Sequence, residues 1–177
     1  MTAPRLDQGQ TVDLLNTVWA DRAGQYDELA DRRLASRWLG TDLSESATTL
    51  LRELRDALRV LAADRTADPR PVASAPLDRV AEAVATVNAA SALAPSWPVL
   101  VDGRAETRSQ VPPDQRLLGG LAADAIEFLA SGPELRACLA PGCVLYFVKD
   151  HPRRAWCSTG CGNRVRAARH YARRRTT

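Results

Sequence analysis

Residues 138–175 read CLAPGCVLYFVKDHPRRAWCSTGCGNRVRAARHYARRR and hold every cysteine of the chain, Cys138, Cys143, Cys157 and Cys161. They come as two pairs, C-x4-C and C-x3-C, with thirteen residues between the pairs. Two cysteines separated by a few residues can reach one ion, and four thiolates at ~2.3 Å satisfy the tetrahedral preference of zinc. Between Cys138 and Cys143, the Pro141-Gly142 dipeptide supplies the turn that such a knuckle needs. The run from Val144 to Val148 is β-prone, Lys149 to Pro152 reads as a turn, and Arg153 to Trp156 reads as a returning strand. The second pair then opens a helical pattern. Knuckle, hairpin and a ligand pair at a helix start predict a treble-clef-like four-cysteine zinc finger, its thiolates favoured by the helix N-terminus. Two disulfides, unpaired buried thiols or an iron–sulfur cluster are the rivals, and the spacing favours zinc. A site filled by four thiolates is closed, so the ion is expected to be structural. His151 and His170, the only histidines, are not needed as ligands.

The charge distribution divides the chain in the same place. From Arg136 to Thr177 there are ten basic residues against Asp150 alone, a balance of +9. The remainder keeps 14 of the 24 basic and 20 of the 21 acidic residues, a balance of −6. Such asymmetry points to two parts with different surroundings, and a division into residues 1–132 and 133–177 is expected. Past Cys161, positions 166, 169/170 and 173 fall on one helical face, and Val165, Ala168 and Ala172 fall on another, expected to pack on the hairpin. Arg164, Arg166, Arg169, Arg173 and Arg174, with Arg175 at the helix end and Arg153 and Arg154 from the hairpin, are the candidate phosphate contacts. Arg164 could instead bond the knuckle. Tyr171 or Tyr146 could stack on a base, and Gly162 and Asn163 read as turn or cap residues. The competing readings are a solvated tail, a tail folded against the acidic front part, and a zinc-stabilised module that docks an acidic protein partner.

The front part predicts a mainly α (α+β) fold, multi-helical with one small β-hairpin. Residues 11–19, with Val12, Leu14, Leu15, Val18 and Trp19, fit a short strand or a helical turn. Residues 21–26 read as a loop. A helix is expected from Glu28 to Leu39, stopped by Gly40. Next comes an amphipathic helix from Ser44 to Ala63, with Leu50, Leu51, Leu54, Leu58 and Leu61 inward and Arg52, Glu53, Arg55 and Arg59 outward. Pro69, Pro71 and Pro76 interrupt it. A helix follows from Leu77 to Leu93, with Leu77, Val80, Val84 and Val87 inward. Asp102-Gly103 marks a hairpin between Val99–Val101 and Arg104–Val111. A last helix runs from Pro113 to Ala130, burying Leu117, Leu118, Leu121, Ile126, Phe128 and Leu129.

No stretch of eighteen apolar residues would span a membrane, and the N-terminus lacks the apolar core of a signal peptide. A cytoplasmic protein with reduced thiols is therefore expected. Residues 1–135 contain no histidine and no glycine-rich phosphate loop, so no enzyme is expected.

The segment WCSTGCGNRVRAARHYARRR closely resembles the CGNR zinc finger, whose tetrapeptide stands here as Cys161-Gly162-Asn163-Arg164. Trp156 before the third cysteine, the C-x4-C pair and the basic tail agree with that pattern. Val12 to Thr17 (VDLLNT) and the LRELRDALR helix resemble the ABATE domain that precedes this finger. The resemblance covers most of the chain and implies a stress-induced transcriptional regulator, holding one zinc ion and binding nucleic acid, expected to be DNA. Dimerisation would suit such a reader, because it doubles phosphate contacts and sets the spacing of half-sites.

Overall fold

The computed structural model describes residues 6–70 and 77–175, with the side chains of Leu77, Asp78 and Arg175 excluded. The expectations for Pro71, Pro76 and the side chains of Leu77 and Arg175 therefore lie outside the described residues. The chain order is α1 (Gln10–Leu15), β1 (Val18–Ala20), β2 (Gln25–Asp27), α2 (Arg32–Leu39), α3 (Glu45–Arg65), α4 (Leu77–Ala92), β3 (Trp97–Val101), β4 (Arg104–Arg108), α5 (Pro113–Ser131), β5 (Leu135–Ala137), β6 (Tyr146–Val148) and α6 (Thr159–Arg175). Among the described residues the fold is mainly helical with three small antiparallel ladders, β1–β2, β3–β4 and β5–β6.

Helix α3 is the spine. Ser44 caps it, its hydroxyl accepting from the Ala47 N–H at 3.1 Å, which satisfies one of the otherwise orphaned first-turn donors. Leu51, Leu54 and Leu58 are fully buried, while Leu50 and Leu61 pack partly buried at the margin. Each fully buried leucine contributes roughly 1.5–3 kcal/mol. The alanines Ala57, Ala62, Ala83, Ala90, Ala122 and Ala125 are also buried in this core, and their small side chains let α4 and α5 lie close against α3. At Gly119 of α5 a Cβ would sit 2.5 Å from that of Ala94, so α5 can approach the end of α4 only with glycine there.

Several expectations need correcting. Arg55 and Arg59 do not face outward. Arg55 is buried and grips Asp27 with two bonds of 2.7 and 3.0 Å, while Arg59 is partly buried and reaches the Leu15 carbonyl at 2.7 Å. A guanidinium on a long apolar stem can leave the helix beside a leucine stripe and still find carboxylate or carbonyl partners inside. Both forms expected for residues 11–19 occur, since residues 11–15 lie in α1 and Val18 and Trp19 begin the strand β1. That strand pairs with β2 across residues 21–24, Trp19 opposite Tyr26, so the front part has a second hairpin. Val84 and Leu117 are 45% and 43% exposed rather than inward. In the C-terminal part, β6 pairs with β5, which precedes the first cysteine, and residues 153–156 form no strand. Only the three residues Leu135–Ala137 make that ladder, too few for a period-2 pattern to stand out.

The candidate metal centre and its basic helix

The zinc site rests on the β5–β6 ladder. Cys138 directly follows β5, and its N–H donates to the Leu145 carbonyl at 2.9 Å. Gly142, with φ at 71°, takes the left-handed conformation that closes the knuckle, and the Cys143 N–H donates to the Ala140 carbonyl at 2.9 Å. The second pair sits at the head of α6. Ser158 caps that helix, its hydroxyl accepting from the Cys161 N–H at 3.2 Å. Gly162 and Asn163 therefore lie inside the first turns of α6 rather than in a turn or cap. A Cβ at Gly162 would meet the Trp156 ring at 3.3 Å, so glycine at this position lets the indole lie against the helix.

All four cysteines are buried, and their sulfurs lie within 4.8 Å of one another. Cys143 and Cys157 are 3.8 Å apart and Cys157 and Cys161 are 3.4 Å apart. A tetrahedron with Zn–S of ~2.3 Å has S···S edges of ~3.8 Å, so the sulfur frame fits one tetrahedral ion. The electrostatics agree. Hydrogen bonds from Cys143 and Cys157 hold the Cys138 thiol far below its usual range, and its thiolate in turn drives Cys143 up to about 12. Cys157 is pushed up as well, by its bonds to Cys138 and Cys143. Buried thiolates this close together repel one another unless a cation compensates them. Arg164 gives part of that compensation, donating to the Cys161 sulfur at 2.9 Å, a bond that raises its own pKa. The buried Trp19 indole N–H, in the same cluster, has no acceptor among the described residues.

That cluster is not made by the C-terminal part alone. Trp19, stacked on Tyr26 at 4.4 Å between ring centroids, packs with the four cysteines, Leu145, Phe147 and Val165. Two amide side chains take the place of a strand beside β6. Asn16 donates to the Tyr146 carbonyl at 2.9 Å and accepts from its N–H at 2.8 Å, and Gln8 does the same for Val148 at 2.9 and 2.8 Å. Arg59 donates to the Val144 carbonyl at 3.2 Å and Arg70 to that of Cys143 at 3.1 Å, and both guanidiniums lie over the Tyr146 ring. Burial pushes the Tyr146 hydroxyl up to about 12, so it stays protonated and donates to Asp68 at 2.8 Å. None of these contacts from Gln8, Asn16, Arg59, Asp68 and Arg70 was expected from the sequence. The one signal was a polar residue, Asn16, set among Val12, Leu14, Leu15 and Val18.

This buried charge sets a pH dependence. Burial would raise the carboxyls of Asp27 and Asp68, but bonds from Arg55 and Arg70 outweigh it and hold both below their usual values. A depressed carboxyl stabilises the fold above its unfolded pKa of about 4 and loses that contribution as pH falls through the lower folded value. The contribution of these two carboxylates to unfolding free energy is therefore expected to be flat above about pH 5 and to be lost below about pH 4. Urea titrations across that range check this, and Asp68→Asn should flatten the acid limb.

The basic residues fall into two groups. Arg154 is engaged inside the protein, bonding Asp150 at 2.7 Å and the Cys157 carbonyl at 3.0 Å and lying over the Phe147 ring. Arg164 is committed to Cys161. Arg166, which bonds the Asn163 side chain, Arg169, Arg173 and Arg174 are exposed along α6, and Arg153 is exposed on the preceding loop. Arg153 and Arg166 line an open cleft of about 560 Å3 at the start of α6, with Trp156, Ser158 and Thr159. Ala168 and Ala172, expected to pack on the hairpin, are exposed too, so α6 leaves the body of the protein after Val165. From Arg166 to Arg174 the helix is exposed, so that stretch is not buried against the acidic front part. Tyr146 is buried and unavailable for base stacking, whereas Tyr171 is 67% exposed. Among the described residues no helix is long and apolar enough to cross a membrane.

Two families match the chain. The CGNR zinc finger matches residues 134–174, so the four gathered cysteines are those of a zinc finger and the ion they are positioned to hold is one structural Zn2+. No curated protein matches the chain. The family described as "Putative stress-induced transcription regulator", ABATE, matches residues 11–132, more than half of the sequence, and the chain belongs to that family.

Proposed function

We propose that this protein is a DNA-binding transcriptional regulator of the cytoplasm and not an enzyme. Cys138, Cys143, Cys157 and Cys161 hold its zinc, and α6 with the adjoining loop meets the nucleic acid. The observation that carries this reading is α6 itself. Its first turns are fixed by the metal site, and from Arg166 onward it stands in solvent with Arg166, Arg169 and Arg173 on one face. A rigid, charged helix of this kind lies in a groove or along phosphates at little entropic cost. Arg153 and Arg174 extend the surface. Arg154 and Arg164 serve it indirectly, holding the Cys157 loop and the Cys161 thiolate in place. Residues 1–132 form the unit that carries the module 133–177, and a homodimer would present two such helices.

The test is titration against random and genomic duplex fragments at two salt concentrations. Wild type is expected to bind at low salt and to weaken steeply as salt rises. Replacing Arg166, Arg169 and Arg173 together by alanine should flatten the log–log salt slope by about 3, near 0.9 per phosphate contact, with zinc content unchanged. Loss of zinc in that variant would make the arginines structural. A preference for single-stranded RNA would replace DNA as the target, and no binding at low salt would leave an acidic protein partner.

A further inference from the structure

The hairpin of β3 and β4 packs chiefly on itself. Every residue of β4 is exposed, and on β3 Trp97 is 42% and Leu100 79% exposed. A lone two-stranded ribbon is marginal in water, and an uncovered edge recruits another strand. The two edges of this ribbon differ. Asp102 and Gly103 form a two-residue turn with φ of 49° and 76°, and Val101 and Arg104 close it. Taking that closing pair as hydrogen-bonded, ladder alternation turns the backbone groups of Pro98 and Leu100 outward on β3 and those of Ala105 and Thr107 outward on β4. Proline has no N–H, so the β3 edge lacks a donor at Pro98 and is poorly able to accept a strand. The β4 edge keeps both outward N–H groups.

The sequence of β4, Arg104-Ala105-Glu106-Thr107-Arg108, is suited to its own antiparallel copy. With Thr107 opposite Thr107 on a two-fold axis, Glu106 faces Arg108 of the partner subunit, and its own Arg108 faces the partner's Glu106. Glu106 and Arg108 already pair within the strand at 3.1 Å, so the two copies would close a four-charge ring of alternating sign. Centring the axis on Glu106 would set like charges opposite each other. Centring it on Ala105 would run the ladder into the Asp102-Gly103 turn. We propose that this protein dimerises through β4, edge to edge about Thr107, making a four-stranded sheet across a two-fold axis. The proposal extends the dimer of the functional reading but is tested without nucleic acid, so either can fail alone.

Sedimentation equilibrium of the full-length, zinc-loaded protein over a concentration series is the experiment. Wild type should show a monomer–dimer equilibrium. Thr107→Pro removes one outward N–H while sparing the bonds within the hairpin, as Pro98 does on β3, and should be monomeric with unchanged circular dichroism. Glu106→Arg should weaken the dimer by about tenfold, and the charge swap Glu106→Arg with Arg108→Glu should restore it. A monomeric wild type at every concentration, a dimeric Thr107→Pro, or a swap that fails to restore dimerisation would overturn the interface.

Discussion

Replacing Cys157 by serine is expected to cost this protein its zinc and its cooperative fold together, with the midpoint of thermal unfolding falling by more than about 10 °C. Structural zinc in small modules contributes about 10–16 kcal/mol of apparent binding energy, comparable with the whole stability of a domain, about 5–15 kcal/mol. Cys157 is 3.8 Å from Cys143 and 3.4 Å from Cys161, so a serine there removes the sulfur that joins the two pairs. The loss would not stay local, because Trp19 and Tyr26 of the front part complete the cysteine cluster. Tryptophan fluorescence and circular dichroism should therefore change in one transition, in the variant and in wild type treated with a strong chelator. Two separate transitions, with the front part untouched, would show that the two parts fold independently.

Asn16→Ala is the second large effect. Its side chain provides both hydrogen bonds to the backbone of the fully buried Tyr146. Alanine leaves a buried N–H and a buried carbonyl without partners, at about 1–3 kcal/mol for each group. The strand β6 is itself held only by the three-residue β5 on its other side, so the variant should lose roughly 2–6 kcal/mol in urea unfolding. Its zinc should also exchange faster with a competing chelator, because β6 lies between the cysteine pairs. Asn16→Asp restores only the acceptor and should recover part of the loss. An Asn16→Ala protein as stable as wild type would mean that water or a shifted Gln8 replaces the amide.

The cysteine frame was legible because a metal site leaves a local mark, two pairs at ligand spacing with a Pro-Gly turn between the first pair. Helix α3 was legible for a similar reason. Its leucines recur at helical spacing from Leu50 to Leu61 and Ser44 caps it, so periodicity and capping agree. Asp102-Gly103 predicted its hairpin from the turn geometry that only such residues adopt readily. The contacts joining the halves left no such mark. Asn16 and Tyr146 are 130 residues apart, and Gln8 and Val148 are 140 apart. Nothing in a window of neighbours distinguishes Arg59, which enters the core, from Arg52, which lies at its edge. The partner of β6 was misread because the residues after Pro152 contain Ala155 and Trp156 and suit a strand, yet Arg154 is drawn to Asp150 and the Cys157 carbonyl, holding that segment as a loop. The family resemblance supplied the zinc finger and the ABATE unit but not the shared core between them.

The claim on which the rest depends is that one ion organises the C-terminal part, and its most direct measurement is the metal content of protein purified without added metal. Elemental analysis is expected to find one zinc per chain. A fully folded protein with no metal, or one that keeps its zinc after Cys157→Ser, would contradict it.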